Sequence, residues 1–282
     1  MWIVLAILAA LTSGLTTVFA KIGLKNINSN VATFIRTIII LVLSWIIVFI
    51  FDYDNDINKI NNTDLLFLIL SGISTCLLWL CYFKAIQLGN VNYVTPVDKS
   101  SIILTLMLSY IFLGESITII KVVSIVLIMI GTILMINKSD DGNGHGWVLF
   151  ALLTAVFTSL TALLGKIGIK NINVFLATSI RTIIVFIINL LVVHLSKNIS
   201  EVKKISKKGW LFLILSGVST TAAWLFYFGA LKGGEASVVF PLEKLSVIFA
   251  VLFSRIFLGE KLNKKSFIGL ILIILGTLIL VF

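Results

Sequence analysis

A lysine, an arginine, a tryptophan, a proline and a glutamate each return 145 residues later in this chain: Lys21 as Lys166, Arg36 as Arg181, Trp79 as Trp224, Pro96 as Pro241 and Glu115 as Glu260. The segments between them keep step without a gap. AKIGLKNIN aligns with GKIGIKNIN, and FLILSGIST with FLILSGVST. An internal repeat of this kind restricts the fold before any single segment is read, because the two units must adopt one architecture and fit each other.

The repeated unit is built for lipid. Of the 282 residues 59% are hydrophobic and 12% charged, about half the charge of an ordinary soluble domain. The apolar residues fall in blocks of roughly 17–22, the length that crosses a bilayer as a helix. Ten spans are expected, at about 2–20, 31–51, 64–84, 93–113, 120–137, 147–165, 174–195, 210–230, 238–257 and 266–282. Alternation with a period of two is absent, which argues against a membrane β-barrel. The first unit covers 1–137, a connecting loop 138–146, and the second unit 147–282. Each unit holds five spans. An odd number turns the second unit upside down in the membrane, so the expected fold is an all-α polytopic membrane protein of ten helices in two inverted-topology repeats.

The formal net charge of +10 does not point to nucleic acid. The lysines sit in short loops flanking the spans, where they set topology, and form no basic face with room for a duplex. Lys197, Lys203, Lys204, Lys207 and Lys208 follow span seven, and Lys261, Lys264 and Lys265 follow span nine. Their counterparts in the first unit are poor in base. The rich loops are expected in the cytoplasm, with both termini outside a plasma membrane. No cleavable signal peptide is expected, since residues 1–20 lack a basic n-region. Cys76 and Cys81 lie in one span at a spacing that does not share a helical face, so they read as packing, and no metal-ligand pattern is present. His145 and His194 have no repeat equivalents. No nucleotide-binding loop or nucleophilic triad appears, so neither a cofactor, a catalytic residue nor direct drive by ATP is expected.

The polar residues inside the spans carry the functional expectation. A charged side chain at mid-membrane costs roughly 2.5–3.5 kcal/mol on insertion scales. Here the cluster Pro96, Asp98, Lys99 recurs as Pro241, Glu243, Lys244. Each proline removes a backbone hydrogen bond and kinks or unwinds its helix, which in a carrier assists gating and aims peptide dipoles at a substrate. Neighbouring acid and lysine point about 100° apart, so a cross-unit arrangement is attractive. Lys99 and Lys244 then line a cavity and hold an anionic group, while Asp98 or Glu243 binds an amine or loads a proton. A purely structural salt-bridge network is the competing reading. Trp79, Tyr82 and Phe83, with Trp224, Tyr227 and Phe228, form a stripe at i, i+3, i+4 spacing, read either as cavity walls or as an interfacial belt. Arg36 and Arg181, a turn or two inside their spans, are expected to snorkel to the interface or to act structurally or in gating. Glu115 and Glu260 are expected to pair with Lys121 and with Lys261 and its neighbours. Gly131, Gly269 and Gly276 give small faces for packing of the halves or for a dimer interface.

These residues resemble the drug/metabolite transporter superfamily, EamA type. The matching elements are the lysine closing span one, the arginine early in span two, the aromatic end of span three followed by Ala85 and Ala230, and the proline in span four with Leu-Gly-Glu closing it. The chain looks like two fused five-span EamA-like units. The resemblance implies a ten-helix export carrier with a central cavity between the halves; it implies no particular substrate. Members with ten spans usually keep both termini in the cytoplasm, and the lysine distribution here predicts the opposite.

The expected activity is therefore secondary transport: export of a small polar or amphipathic metabolite, amino-acid-like or drug-like, by alternating access, with a proton or another ion as possible coupling partner. The partners are a small-molecule substrate and membrane lipid, and the protein acts as a monomer or homodimer. A flippase for a lipid-linked or amphipathic substrate is the alternative. An intramembrane enzyme lacks a nucleophile or metal ligands here, and a non-transporting receptor or scaffold would fill its cavity with side chains.

Overall fold

The computed structural model describes residues 2–25, 27–113, 118–135, 146–168, 172–196, 201–203, 205–233, 242–243 and 245–279. These form α1 (Trp2–Gly23), α2 (Ser29–Ile50), α3 (Asn62–Leu88), α4 (Val91–Lys99), α5 (Ser101–Leu113), α6 (Ile119–Met135), α7 (Gly146–Gly168), α8 (Val174–Leu195), α9 (Lys207–Gly233), α10 (Ser246–Leu258) and α11 (Lys264–Ile279). A 3₁₀ turn at Tyr53–Lys59 joins α2 to α3. The chain is an all-helical polytopic membrane protein: α1, α2, α3, α7, α8 and α9 each contain a stretch long and apolar enough to cross a bilayer, and shorter apolar helices accompany them.

Repeated sequence produces repeated local structure. In each unit the final asparagine of the Lys-Asn-Ile-Asn motif caps the next helix. Asn28 accepts a hydrogen bond from the Asn30 amide at 2.9 Å, and Asn173 accepts one from the Phe175 amide at 2.9 Å. A short polar side chain at this position takes up an amide that the helix start leaves unbonded. Asn61 and Asn90 cap α3 and α4 in the same way.

The expected fourth span, 93–113, is interrupted. Pro96 lies inside α4, which ends at Lys99; the Ser100 amide bonds back to the Pro96 carbonyl at 3.0 Å before α5 begins at Ser101. The proline has no N–H for the Asn92 carbonyl, which weakens the ladder there. Of the ninth span, Leu242–Glu243 and α10 are described.

The principal helix pairs join the two halves of the chain: α1 with α9, α3 with α7, α2 with α8 and α6 with α11, while α1 also packs on α10 and α7 on α4 and α5. The main apolar core draws on both halves as well, with Ile35, Phe83 and Val97 meeting Trp147, Val193 and Leu213. At the α6–α11 crossing a Cβ on Gly131 would lie 2.6 Å from the Gly269 carbonyl oxygen, and one on Gly276 would lie 2.9 Å from the Ser124 carbonyl oxygen. The small faces of these helices thus serve packing of the halves, as backbones can approach this closely only where side chains are absent.

Candidate functional site

Polar side chains within the helices bond across the halves, and they do so in repeat-equivalent pairs. On α4, Asp98 accepts a hydrogen bond from Thr158 of α7 at 3.2 Å. Its equivalent, Glu243, accepts one from Ser13 of α1 at 3.3 Å. Ser13 and Thr158 are themselves 145 residues apart. Each acid therefore meets a hydroxyl from the first helix of the opposite half. Pro241 and Lys244, together with the side chain of Lys99, lie outside the described residues.

Trp79 of α3 stacks on its own equivalent, Trp224 of α9, with ring centroids 5.9 Å apart and planes 22° apart. Tyr82 shares a 2.7 Å hydrogen bond with Thr17 and meets Phe83 edge-on at 5.4 Å. Tyr227 packs in a satellite cluster with Ala6 and Ala230. The structure thus brings Trp79 and Trp224 together and leaves the tyrosines on separate helices.

Of the two readings of the arginines, snorkelling fails at Arg36 and the structural reading stands. Arg36 does not snorkel: it is 2% exposed. Its Nε donates to Ser216 at 2.9 Å and its Nη2 to Thr220 at 3.0 Å, both on α9, while the guanidinium carbon sits 3.9 Å above the Phe83 ring. Arg181, its equivalent, donates from Nη2 to Thr75 of α3 at 2.8 Å. Thr75 and Thr220 occupy the same place in the FLILSG(I/V)ST motif. Among the described residues neither guanidinium is paired with a carboxylate. Among the described residues Arg36 Nη1 and Arg181 Nε are buried without a hydrogen-bond partner. Sequence reading passed over this network because hydroxyls are unremarkable in membrane helices; the usable signal was the recurrence of serine and threonine one turn apart in a duplicated motif.

A second correction concerns Glu260. It pairs with Lys21 of α1, Oε1 to Nζ at 3.1 Å, and not with the lysines that follow it in sequence. Lys21 also donates to the Gly89 carbonyl at the end of α3. The lysine and glutamate side chains are 22% and 11% exposed, so this pair is screened less than a surface one. It ties the ends of α1 and α3 to the segment after α10. Glu115 lies outside the described residues, as does the side chain of Lys121.

The repeated sequence has counterparts in known proteins. The EamA-like transporter family matches residues 1–137 and again 145–282. The chain belongs to this family. An uncharacterized transporter of Sinorhizobium sp. from the cobO 3' region is 42% identical over 136 residues, which is 48% of this chain and 96% of that protein. An uncharacterized transporter of Archaeoglobus fulgidus is 21% identical over 280 residues, 98% of each chain. A crystal structure with 14% identity shares the fold over 98% of this chain and 94% of its own, with a TM-score of 0.66. The EamA member described here is thus a membrane transporter and not an enzyme.

Proposed function

We propose that this EamA transporter is a secondary carrier that exports small polar or amphipathic metabolites from the cell. It works by alternating access through a central cavity between two inverted five-helix repeats, 1–137 and 147–282. Lys99 and Lys244 hold an anionic group of the substrate. Asp98 and Glu243 hold an amine or exchange a proton, and Trp79, Trp224, Tyr82 and Tyr227 contact the organic body. Pro96 and Pro241 supply the flexible backbone. The lysine-rich loops face the cytoplasm and both termini face out of the plasma membrane.

One observation carries this reading: the two acids take hydroxyls from repeat-equivalent positions across the halves, Asp98 from Thr158 and Glu243 from Ser13. Reciprocal contacts of this kind allow the halves to exchange roles. The arginines add support. Arg36 and Arg181 are equivalent in sequence, yet Arg36 is sealed at 2% exposure while Arg181 is partly exposed. A carrier resting with one end closed presents this asymmetry. The half-length Sinorhizobium relative supports an origin by duplication of a five-helix unit.

The test is metabolite profiling of medium from cells expressing the wild type or Lys99→Ala/Lys244→Ala at equal membrane levels. A small molecule that accumulates outside with the wild type alone is the expected result. Indistinguishable media would remove the export reading and make lipid flipping in liposomes the next assay. Alkaline phosphatase fused to either terminus should be active; activity at neither end would reverse the orientation.

A further inference from the structure

We infer that Arg181 is an oxyanion-binding residue of the transporter, taking a carboxylate or phosphate group of the substrate through its guanidinium; this rests on the carrier reading above. A charge within a membrane helix needs a counter-charge or a function. Arg181 lies two turns into α8, and among the described residues no carboxylate pairs with it. Thr75 cannot supply the missing charge. Its hydroxyl proton already goes to the Ser71 carbonyl at 2.7 Å, so it offers Arg181 only a lone pair. Among the described residues Nε remains buried without a partner.

The two arginines are not used alike. Arg36 spends Nε and Nη2 on Ser216 and Thr220 and lies over the Phe83 ring. Ser71 and Ser216 turn their hydroxyls alike, to the equivalent Thr161 and Thr16 carbonyls at 3.0 and 2.8 Å. Ser216 also accepts from Arg36 Nε, whereas among the described residues nothing accepts from Arg181 Nε, so Arg181 keeps the donor that Arg36 has satisfied. Arg181 is partly exposed, whereas Arg36 is sealed. Gly165 of α7 lies close beside it: a Cβ there would be 3.6 Å from Arg181 Nη1 and 3.3 Å from Ser71 Oγ, so the glycine lets α7 approach the guanidinium. A guanidinium with unspent N–H groups suits a planar carboxylate or a phosphate, which accepts two parallel hydrogen bonds.

The experiment uses the full chain in lipid nanodiscs and follows tryptophan fluorescence with three probes of one shape: 3-phenylpropionate, phenyl phosphate and uncharged 3-phenylpropanol. At least one anion should bind the wild type and bind Arg181→Gln at least tenfold more weakly, with the alcohol unaffected. Arg181→Lys keeps the charge without the fork and should bind the anion at least threefold more weakly than wild type. Whichever anion binds identifies the source of the oxyanion. The inference is overturned if neither anion binds the wild type, or if both bind Arg181→Gln as tightly as wild type. Should Arg181→Gln lose its monodisperse size-exclusion peak, Arg181→Lys decides on the same criterion. Counterflow of labelled metabolites in proteoliposomes separates the two readings. Binding that needs Arg181 without transport keeps the oxyanion site and removes the carrier; transport insensitive to Arg181→Gln does the reverse.

Discussion

At the scale of single residues, the duplicated arginine is where chemistry and stability part company. Arg36 makes two hydrogen bonds to α9, and each bond from a charged donor is worth about 1.5–3 kcal/mol. Burying the guanidinium carries a desolvation penalty of several kcal/mol per ion, however, and replacing buried ions with apolar residues of similar size is often neutral or stabilising. Loss of Arg36 would leave no hydroxyl proton stranded: Ser216 donates to the Thr16 carbonyl at 2.8 Å and Thr220 to the Ser216 carbonyl at 2.8 Å. Arg36→Met should therefore keep thermal stability within about 1 kcal/mol of wild type, while Arg36→Ala, which opens a cavity, should lose about 2–4 kcal/mol. Melting followed by size-exclusion chromatography checks both. A Met variant as unstable as the Ala variant would mean that the arginine is retained for folding and not for transport.

At the scale of helices, the α6–α11 crossing shows how a repeat fits its own copy. Gly131 faces the carbonyl of Gly269, and Gly276 faces that of Ser124. In lipid no hydrophobic effect draws helices together, so close backbone approach and dispersion supply the attraction. A side chain at Gly131 would have to displace backbone, which does not yield as a flexible side chain does. Gly131→Leu should lower stability by about 2–4 kcal/mol, beyond ordinary overpacking because the whole helix must move. Gly146, where a Cβ meets nothing within 4 Å, is the matched control and should tolerate leucine within about 0.5 kcal/mol. Equal losses at the two positions would refute the crossing. The interruption at Ser100 is the other feature of this scale: Pro96 divides an apolar stretch that length alone would make one span.

At the scale of the whole molecule, the two halves fold as one body. Their strongest helix pairs run between halves, and the main core takes residues from both. Residues 1–137 and 147–282 expressed separately should each be degraded or aggregate, whereas co-expression should restore a complex that co-purifies. Recovery of a stable, monodisperse first half alone would contradict this.

Periodicity and repetition in the sequence were enough to determine the helical membrane class and the family, because apolar length and a 145-residue offset are properties of the chain itself. They also marked Asp98, Glu243, Trp79 and Trp224, whose residue types stand out against lipid. Tertiary structure alone decided the partners. Lys21 reaches Glu260, Arg36 reaches Ser216 and Thr220, and Trp79 meets its own copy. The reason is that these contacts join helices distant in the chain, and one-dimensional pattern says which face of a helix is polar without saying which helix will lie against it.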